Sequence, residues 1–513
     1  MSFVSLAGAL PPPPPPSEPV VATAVILFRD GPDGREVFLV RRGVERRFAG
    51  GFHAFPGGRL DPEDRDVPVE GASGEAAALV ACAARELFEE TGLLIARGAG
   101  RLSAEARATA RRGLLEGALA FRDFLAANRL ALEAAPFVPA GRWVTPEHLP
   151  LRYDARLFLV RLRPDDRPEV WPGELADGEL VQAHRALARW EKGDLLLYPP
   201  NLHGVRTVAR PGEPDLAALR DPPLAARRRV EYQGGFLQVA LRTPTLPPAA
   251  HTNAWVVPDE GGVAVVDPGA PDPRDQAELL ALLDALAGEG KPLRAIWLTH
   301  AHPDHVGAVA ALVARHRVPV RAHPLAAPRV AAPVVPLRDG DLLGGRFRVL
   351  ATPGHAREHL AFLDEESAAV LCGDLLSTLS TIVVDPPEGD MLEYVRQLER
   401  LRAIGPRTLY PAHGPPAPAG TARLAAYVAH RHARERQVLA ALEPGGALEE
   451  VTARAYADTP SVLHPIAARS CLASLEKLAR EGRASFEGGV WRRPRIFVSD
   501  PPESHAQARP PAP

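Results

Sequence analysis

Thr299-His300-Ala301-His302-Pro303-Asp304-His305 puts three histidines and an aspartate into six positions. Histidine is 17 of 513 residues, so composition alone does not make so dense a cluster. Neutral imidazole and carboxylate together suit zinc or a related first-row ion. Six positions are too few to close two coordination shells, so distant ligands are expected. The chain offers His355 in Thr352-Pro353-Gly354-His355, Asp374 in Leu371-Cys372-Gly373-Asp374, and His413 in Tyr410-Pro411-Ala412-His413-Gly414. Each group follows a short apolar run of strand character, at 295–298, 347–351, 368–372 and 408–410. Side chains just past strand ends converge on one rim of a sheet sandwich, a common place for α/β folds to bind ligands.

This series resembles the metallo-β-lactamase superfamily, whose HxHxDH, His, Asp, His pattern is complete and in order across residues 230–422. The resemblance implies an αββα sandwich and two zinc ions. His300, His302 and His355 would hold one ion, Asp304, His305 and His413 the second, and Asp374 would bridge them. Asp304 is then the catalytic residue that orients a metal-bound hydroxide. Asp267, after the run 263–266, matches the superfamily's structural aspartate. His359 reads equally as a supporting residue and as a plain helix-face histidine. Relatives with the same pattern include iron dioxygenases, so zinc against iron stays open.

A second box lies upstream: Arg85-Glu86-Leu87-Phe88-Glu89-Glu90-Thr91-Gly92-Leu93, on a helical pattern from about Glu75 to a Gly92 cap. Glu86, Glu89 and Glu90 share one helix face, where like charges repel unless a cation neutralises them. A hard divalent ion carried on a diphosphate would do so. The segment resembles the Nudix box and implies an α/β/α sandwich. Its Mg²⁺ or Mn²⁺ would be bound by Gly58, Glu86, Glu89 and Glu90, with Glu86 also the candidate base. One position departs: the box's first glutamate falls on Ala77. Arg42, Arg47, Gly51 and Phe55-Pro56-Gly57-Gly58 fit the coenzyme A diphosphatase signature, although Val40 and Gly43 depart from it. Arg42 and Arg47 would grip phosphates. The stretches 142–146 and 198–200 resemble the longer members of that subgroup; Glu174 or Glu179 could add a late carboxylate ligand, but each reads more simply as a loop acid.

Length predicts two to four domains. A net charge of −3 gives no bulk attraction to nucleic acid or acidic membranes. The three cysteines form no disulfide framework, and no apolar run is long enough to span a bilayer. With no convincing signal peptide, a cytoplasmic location and no membrane partner are expected.

The expected organisation is α/β and α+β multidomain. A proline-rich leader occupies 1–19, the Nudix unit 20–209, a linker 210–229 and the lactamase unit 230–422. A small winged helix at 423–495 and a tail at 496–513 complete it. A helical insertion is predicted at about 103–128. Residues 458–483 read as helical and 485–491 as a hairpin around Gly488-Gly489. The winged helix is expected to pack or to make a homodimer rather than to read DNA. Its leading segment, with Arg431, Arg434 and Arg436, resembles the β-lactamase-like-2 endoribonuclease subgroup. That makes single-stranded RNA the expected substrate of the second site, beside a CoA-like diphosphate for the first. The alternatives are an acyl-CoA thioester at the second site, or a metabolite-sensing regulator.

Overall fold

The computed structural model describes residues 17–44, 49–147, 149, 151–171, 173, 175–220 and 230–494. The proline run at 11–16, Arg47, Glu174, positions 221–229 and the tail from 496 lie outside the described residues.

Alternating apolar residues build the first unit. In the strand Val20–Gly31, Val25 and Leu27 face one core while Ile26 and Phe28 face another. Phe38 and Val40 oppose Val37 and Leu39 in the same way on Gly34–Arg42. A period of two sends neighbours to opposite faces, so this sheet must be covered on both. Its strands run in the order His53–Ala54, Gly34–Arg42, Val20–Gly31, Tyr153–Arg161, Val138–Val144, and Leu175–Gln182 also pairs with Gly34–Arg42. Helix Gly74–Thr91 covers one face and helices Ala183–Glu191 and Pro199–Ala209 the other. The insertion forms two helices, Ala104–Leu115 and Phe121–Ala127, which extend the first core. Leu216–Arg220, inside the expected linker, is helical, with Leu219 buried in the second core.

The second unit is two sheets face to face. One has seven strands, in the order Val334–Pro336, Val320–Ala322, Leu293–Trp297, Gly262–Val266, His251–Asp259, Leu237–Arg242, Val230–Glu231. The other has six, in chain order from Leu342–Leu343 through Phe347–Ala351, Leu360–Asp364, Ala369–Gly373 and Thr408–Pro411 to Ala417–Pro418. Trp255, Trp297, Phe347, Phe362 and Tyr410 fill the space between them. Helices Pro273–Gly288 and Val309–His316 cover the outer face of the first sheet. Helices Met391–Ile404 and Gly420–Ala441 cover that of the second. This is the expected αββα order. The inter-sheet core runs on into the first unit, taking in Ala49, Phe52 and Leu196. The Phe52 ring lies 4.6 Å from Tyr198 and 5.6 Å from Tyr232.

After Gly420–Ala441 come helices Leu448–Ala455 and His464–Arg480, then a hairpin of Ser485–Glu487 with Val490–Arg492. Gly488 and Gly489 turn it with φ of 57° and 82°, as a tight hairpin requires. These elements share a core of Val438, Leu442, Val451, Leu475, Leu478 and Trp491. Among the described residues no helix is long and apolar enough to cross a membrane.

Candidate functional site

The four histidine and aspartate groups sit just past strand ends. His300 follows Leu293–Trp297, His355 follows Phe347–Ala351, Asp374 follows Ala369–Gly373 and His413 follows Thr408–Pro411. His302 precedes a one-turn helix, Pro303–Val306, which carries Asp304 and His305 in its first turn. That helix packs so closely on the 268–269 turn that a Cβ on Gly269 would lie 1.7 Å from the Asp304 carbonyl oxygen. All seven side chains are buried.

Neighbours fix the ring orientations. His305 Nδ1–H donates to Asp267 (3.0 Å), His355 Nδ1–H to the Val383 carbonyl (2.8 Å) and His413 Nδ1–H to the His251 carbonyl (3.0 Å). His300 Nδ1–H donates to Thr299 Oγ1 at 3.0 Å, and that hydroxyl donates to Asp267 at 2.7 Å. These four rings therefore turn Nε2 inward. His302 is reversed: its Nε2 lies 3.5 Å from Glu388, and its Nδ1 faces inward. Asp267 adopts φ of 51°, a left-handed conformation that aspartate tolerates, and both its oxygens are engaged by Thr299.

With protons held outside, lone pairs converge. His302 Nδ1 lies 2.9 Å from His300 Nε2 and 3.1 Å from His355 Nε2. Beside them, Asp374 lies 3.7 Å from His305, 3.5 Å from His355 and 3.3 Å from His413, while Asp304 is 3.6 Å from His413. Both Asp304 oxygens, His305 Nε2 and one Asp374 oxygen are buried with no hydrogen-bond partner among the described residues. Unpartnered buried polar atoms are costly. Burial also keeps His355 neutral, with its pKa lowered to about 4, as a metal ligand requires. Burial opposes charge on His305 too, but Asp304, Asp267 and Asp374 outweigh it and raise its pKa to about 10. Three overlapping sets, His300/His302/His355, His300/His305/Asp374 and Asp304/His305/His413, could each hold an ion. The donor set fits two cations.

His359 is buried in a loop rather than on a helix face. It accepts from the Asp374 backbone N–H at 3.1 Å and sits 2.7 Å from Thr352, so it supports Asp374 from behind.

In the first unit, helix Gly74–Thr91 presents Glu86, Glu89 and Glu90 beneath the 55–58 loop. Gly57 N–H donates to Glu90 at 2.7 Å. A Cβ on Gly58 would fall 2.3 Å from the Glu86 carboxylate, so the bare backbone there lets that carboxylate lie against it. The Gly58 carbonyl accepts from Thr23 N–H at 2.8 Å and, at 3.9 Å, from the Cys82 thiol. Burial, against the pull of Arg85, raises the pKa of Glu86 to about 7 and shifts Glu89 upward as well. Arg42 ends the strand Gly34–Arg42, its N–H bonded to the Phe52 carbonyl. Glu179 lies on the strand Leu175–Gln182 instead of a loop, and pairs with Arg189 at 2.6 Å.

The departure at Ala77 has a structural reason. The helix starts at Gly74, so Ala77 lies within it, about 12 Å along the axis from Arg85 at 1.5 Å per residue. No side chain there would reach that arginine. Asp64, in the short 3₁₀ helix Pro62–Asp66, pairs with Arg85 through both oxygens at 2.8 and 2.9 Å. Arg85 Nη1 then reaches Glu86 (3.0 Å) and Glu89 (3.3 Å). Asp64 escaped the sequence reading because nothing in the box spacing marks a residue 21 positions away. Asp64→Asn leaves the buried guanidinium half-paired, so the first unit should lose about 3 kcal/mol of stability. Urea unfolding checks this; an unchanged midpoint would refute it.

Arg431 and Arg434 are not open to a passing strand. Arg431 is buried, donates to the Ile382 carbonyl and stacks on Tyr394 and Tyr427. Arg434 forks to Asp458 at 2.9 and 3.2 Å. Arg436 alone of the three is exposed.

Comparison with known proteins agrees with this geometry. Residues 247–413 match the family model of the metallo-β-lactamase superfamily, 18–165 that of the NUDIX domain, and 447–491 that of the β-lactamase-associated winged helix domain. Lactamase-like protein vrtG of Penicillium aethiopicum is 30% identical over 264 residues, covering 48% of this chain and 81% of that protein. The β-lactamase-like protein 2 homolog of Caenorhabditis elegans is 25% identical over 252 residues, with 47% and 83% covered. A hydroxyacylglutathione hydrolase of Acidiphilium cryptum is 33% identical over 167 residues, with 32% and 64% covered.

Proposed function

The chain belongs to the metallo-β-lactamase superfamily and joins that hydrolase fold to a Nudix hydrolase domain and a winged helix, and on that basis we propose two metal-dependent hydrolytic sites in one protein. His300, His302 and His355 would hold one zinc-like ion, Asp304, His305 and His413 a second, with Asp374 between them. Such ions, when bound, would supply Lewis-acid chemistry, making a water nucleophilic near neutral pH and offsetting negative charge. Asp304 orients the attacking oxygen; Asp267, His251, Val383 and Glu388 hold the imidazoles in place. In the Nudix site, Gly58, Glu86, Glu89 and Glu90 would carry Mg²⁺ or Mn²⁺ on a diphosphate such as that of CoA. Arg42 and Arg47 would bind phosphates and Glu86 would act as base. The convergence of proton-free ring nitrogens and unpartnered carboxylate oxygens in one buried cluster carries this reading.

For the lactamase site, single-stranded RNA rests on the likeness to β-lactamase-like protein 2, but of the arginines that could line a strand Arg431 and Arg434 are engaged elsewhere. An acyl-CoA thioester is the better supported substrate. It shares its carrier with the proposed Nudix substrate, and the related hydroxyacylglutathione hydrolase is named for an acyl-thiol compound. The test is one assay panel with CoA, an acyl-CoA and an unstructured RNA, on wild type, His302→Ala and Glu90→Gln. His302→Ala should lose thioester cleavage and keep CoA cleavage; Glu90→Gln should do the reverse, and Arg42→Ala should mainly raise KM for CoA. RNA cut by wild type but not by His302→Ala would restore the RNA reading. Cleavage of other nucleoside diphosphate derivatives with CoA untouched would reject the CoA assignment.

A further inference from the structure

The two candidate ion sites share Asp267, which backs His300 through Thr299 and His305 directly, but their other histidines are held by different parts of the chain. His305 leans on Asp267 and His413 on the His251 carbonyl, both at strand ends of the seven-stranded sheet. His355 and His302 lean on a single segment instead, through the Val383 carbonyl and the Glu388 carboxylate. No regular hydrogen-bond ladder fixes residues 380–390, so something else must hold them.

That something is C-terminal. Ile382 N–H donates to Tyr427 OH at 2.6 Å, and the Ile382 carbonyl accepts from buried Arg431. Val384 N–H donates to Ser470 Oγ at 3.4 Å. Arg469 pairs with Asp385 at 3.1 Å, and Arg480 forks to Asp390 with two contacts of 2.8 Å. Ile382 and Val384 also bury their side chains against Tyr394 and Tyr427. At the far end Arg329 pairs with Glu388 and with buried Glu358.

We propose that the C-terminal unit, helix Gly420–Ala441 with the winged helix, is a clamp for the His300/His302/His355 ion: it pins residues 382–390, whose Val383 and Glu388 orient His355 and His302. Glu388, Arg431 and Arg469 are positioning residues in this arrangement. The inference rests on the two-ion reading and assigns the winged helix a role in metal retention.

The experiment measures metal affinity, not turnover. Chelator competition with Zn²⁺ is run in a His413→Ala background, where the first group remains complete, and in a His302→Ala background, where the second keeps its own histidines. Glu388→Gln, Arg469→Ala and Arg431→Met should each weaken the first-group ion about tenfold or more, the usual cost of losing an orienting partner. The second-group ion should stay within about twofold. Arg431→Met removes a buried charge and can unfold the region; half-exposed Glu388 and Arg469 keep the test decisive. Unchanged first-group affinity in Glu388→Gln and Arg469→Ala, or equal weakening at both groups, overturns the clamp while the two-ion reading stands. Wild type that binds fewer than two ions overturns that reading and the clamp with it.

Discussion

Asp374→Ala should cut hydrolysis by the lactamase unit more than a hundredfold and lower its bound metal from about two ions to one or none. Losing an outer partner of a ligand already costs 10–100-fold, and Asp374 reaches His305, His355 and His413 at once. Elemental analysis beside a thioester assay checks both numbers. The Nudix activity serves as internal control, since Asp374 belongs to the other unit. A variant that keeps two ions would remove Asp374 from the bridging position.

Glu86→Gln should abolish diphosphate cleavage and, in the same protein, raise the melting temperature of the metal-free form above neutral pH. Burial raises the folded-state pKa of Glu86 from 4.5 to about 7. A raised carboxyl pKa means that the folded state prefers the protonated form. The stability this group contributes is complete below the unfolded value and is lost as pH climbs through about 7, an effect on the order of 3 kcal/mol. Glutamine is neutral throughout and escapes that loss. Melts at pH 5 and pH 8 should therefore show a gap between wild type and variant only at the higher pH. Mg²⁺ added to wild type at pH 8 should close it by supplying the charge the carboxylate lacks. A gap of equal size at both pH values would show that burial is not what perturbs Glu86.

Much of this was legible in the residues because the chemistry clusters locally. His300 to His305 lie in one turn after a strand, and Glu86, Glu89 and Glu90 on one helix face, so periodicity alone brings them together. Strands at 347–351 and 408–410 were found where apolar runs end in Thr-Pro or Pro-Ala, and the Gly92 cap ends its helix with φ of 70°. Contacts between remote positions were not legible. Asp64 looks like any loop acid until the fold carries it to Arg85. Arg431 looks like solvated charge in an arginine-rich chain, yet it is buried under two tyrosines. Nothing in periodicity tells an arginine that faces water from one that holds a carbonyl. The two readings of His359 stay level in the sequence because a four-residue spacing from His355 suits a helix face as well as a supporting role, whereas the folded loop brings its ring behind Asp374.

Phe52, Leu196, Tyr198 and Tyr232 pack across the boundary between the two hydrolase units, and Arg407 pairs with Asp194 over the same seam. Apolar surface buried there is lost if the halves separate. Cutting the backbone between Arg220 and Val230 should leave a nicked protein that still migrates as one species. Either half expressed alone would carry a raw greasy face and precipitate. Calorimetry of the intact chain should show both hydrolase units melting under one peak, so a mutation that weakens one site's scaffold will shorten the lifetime of the other.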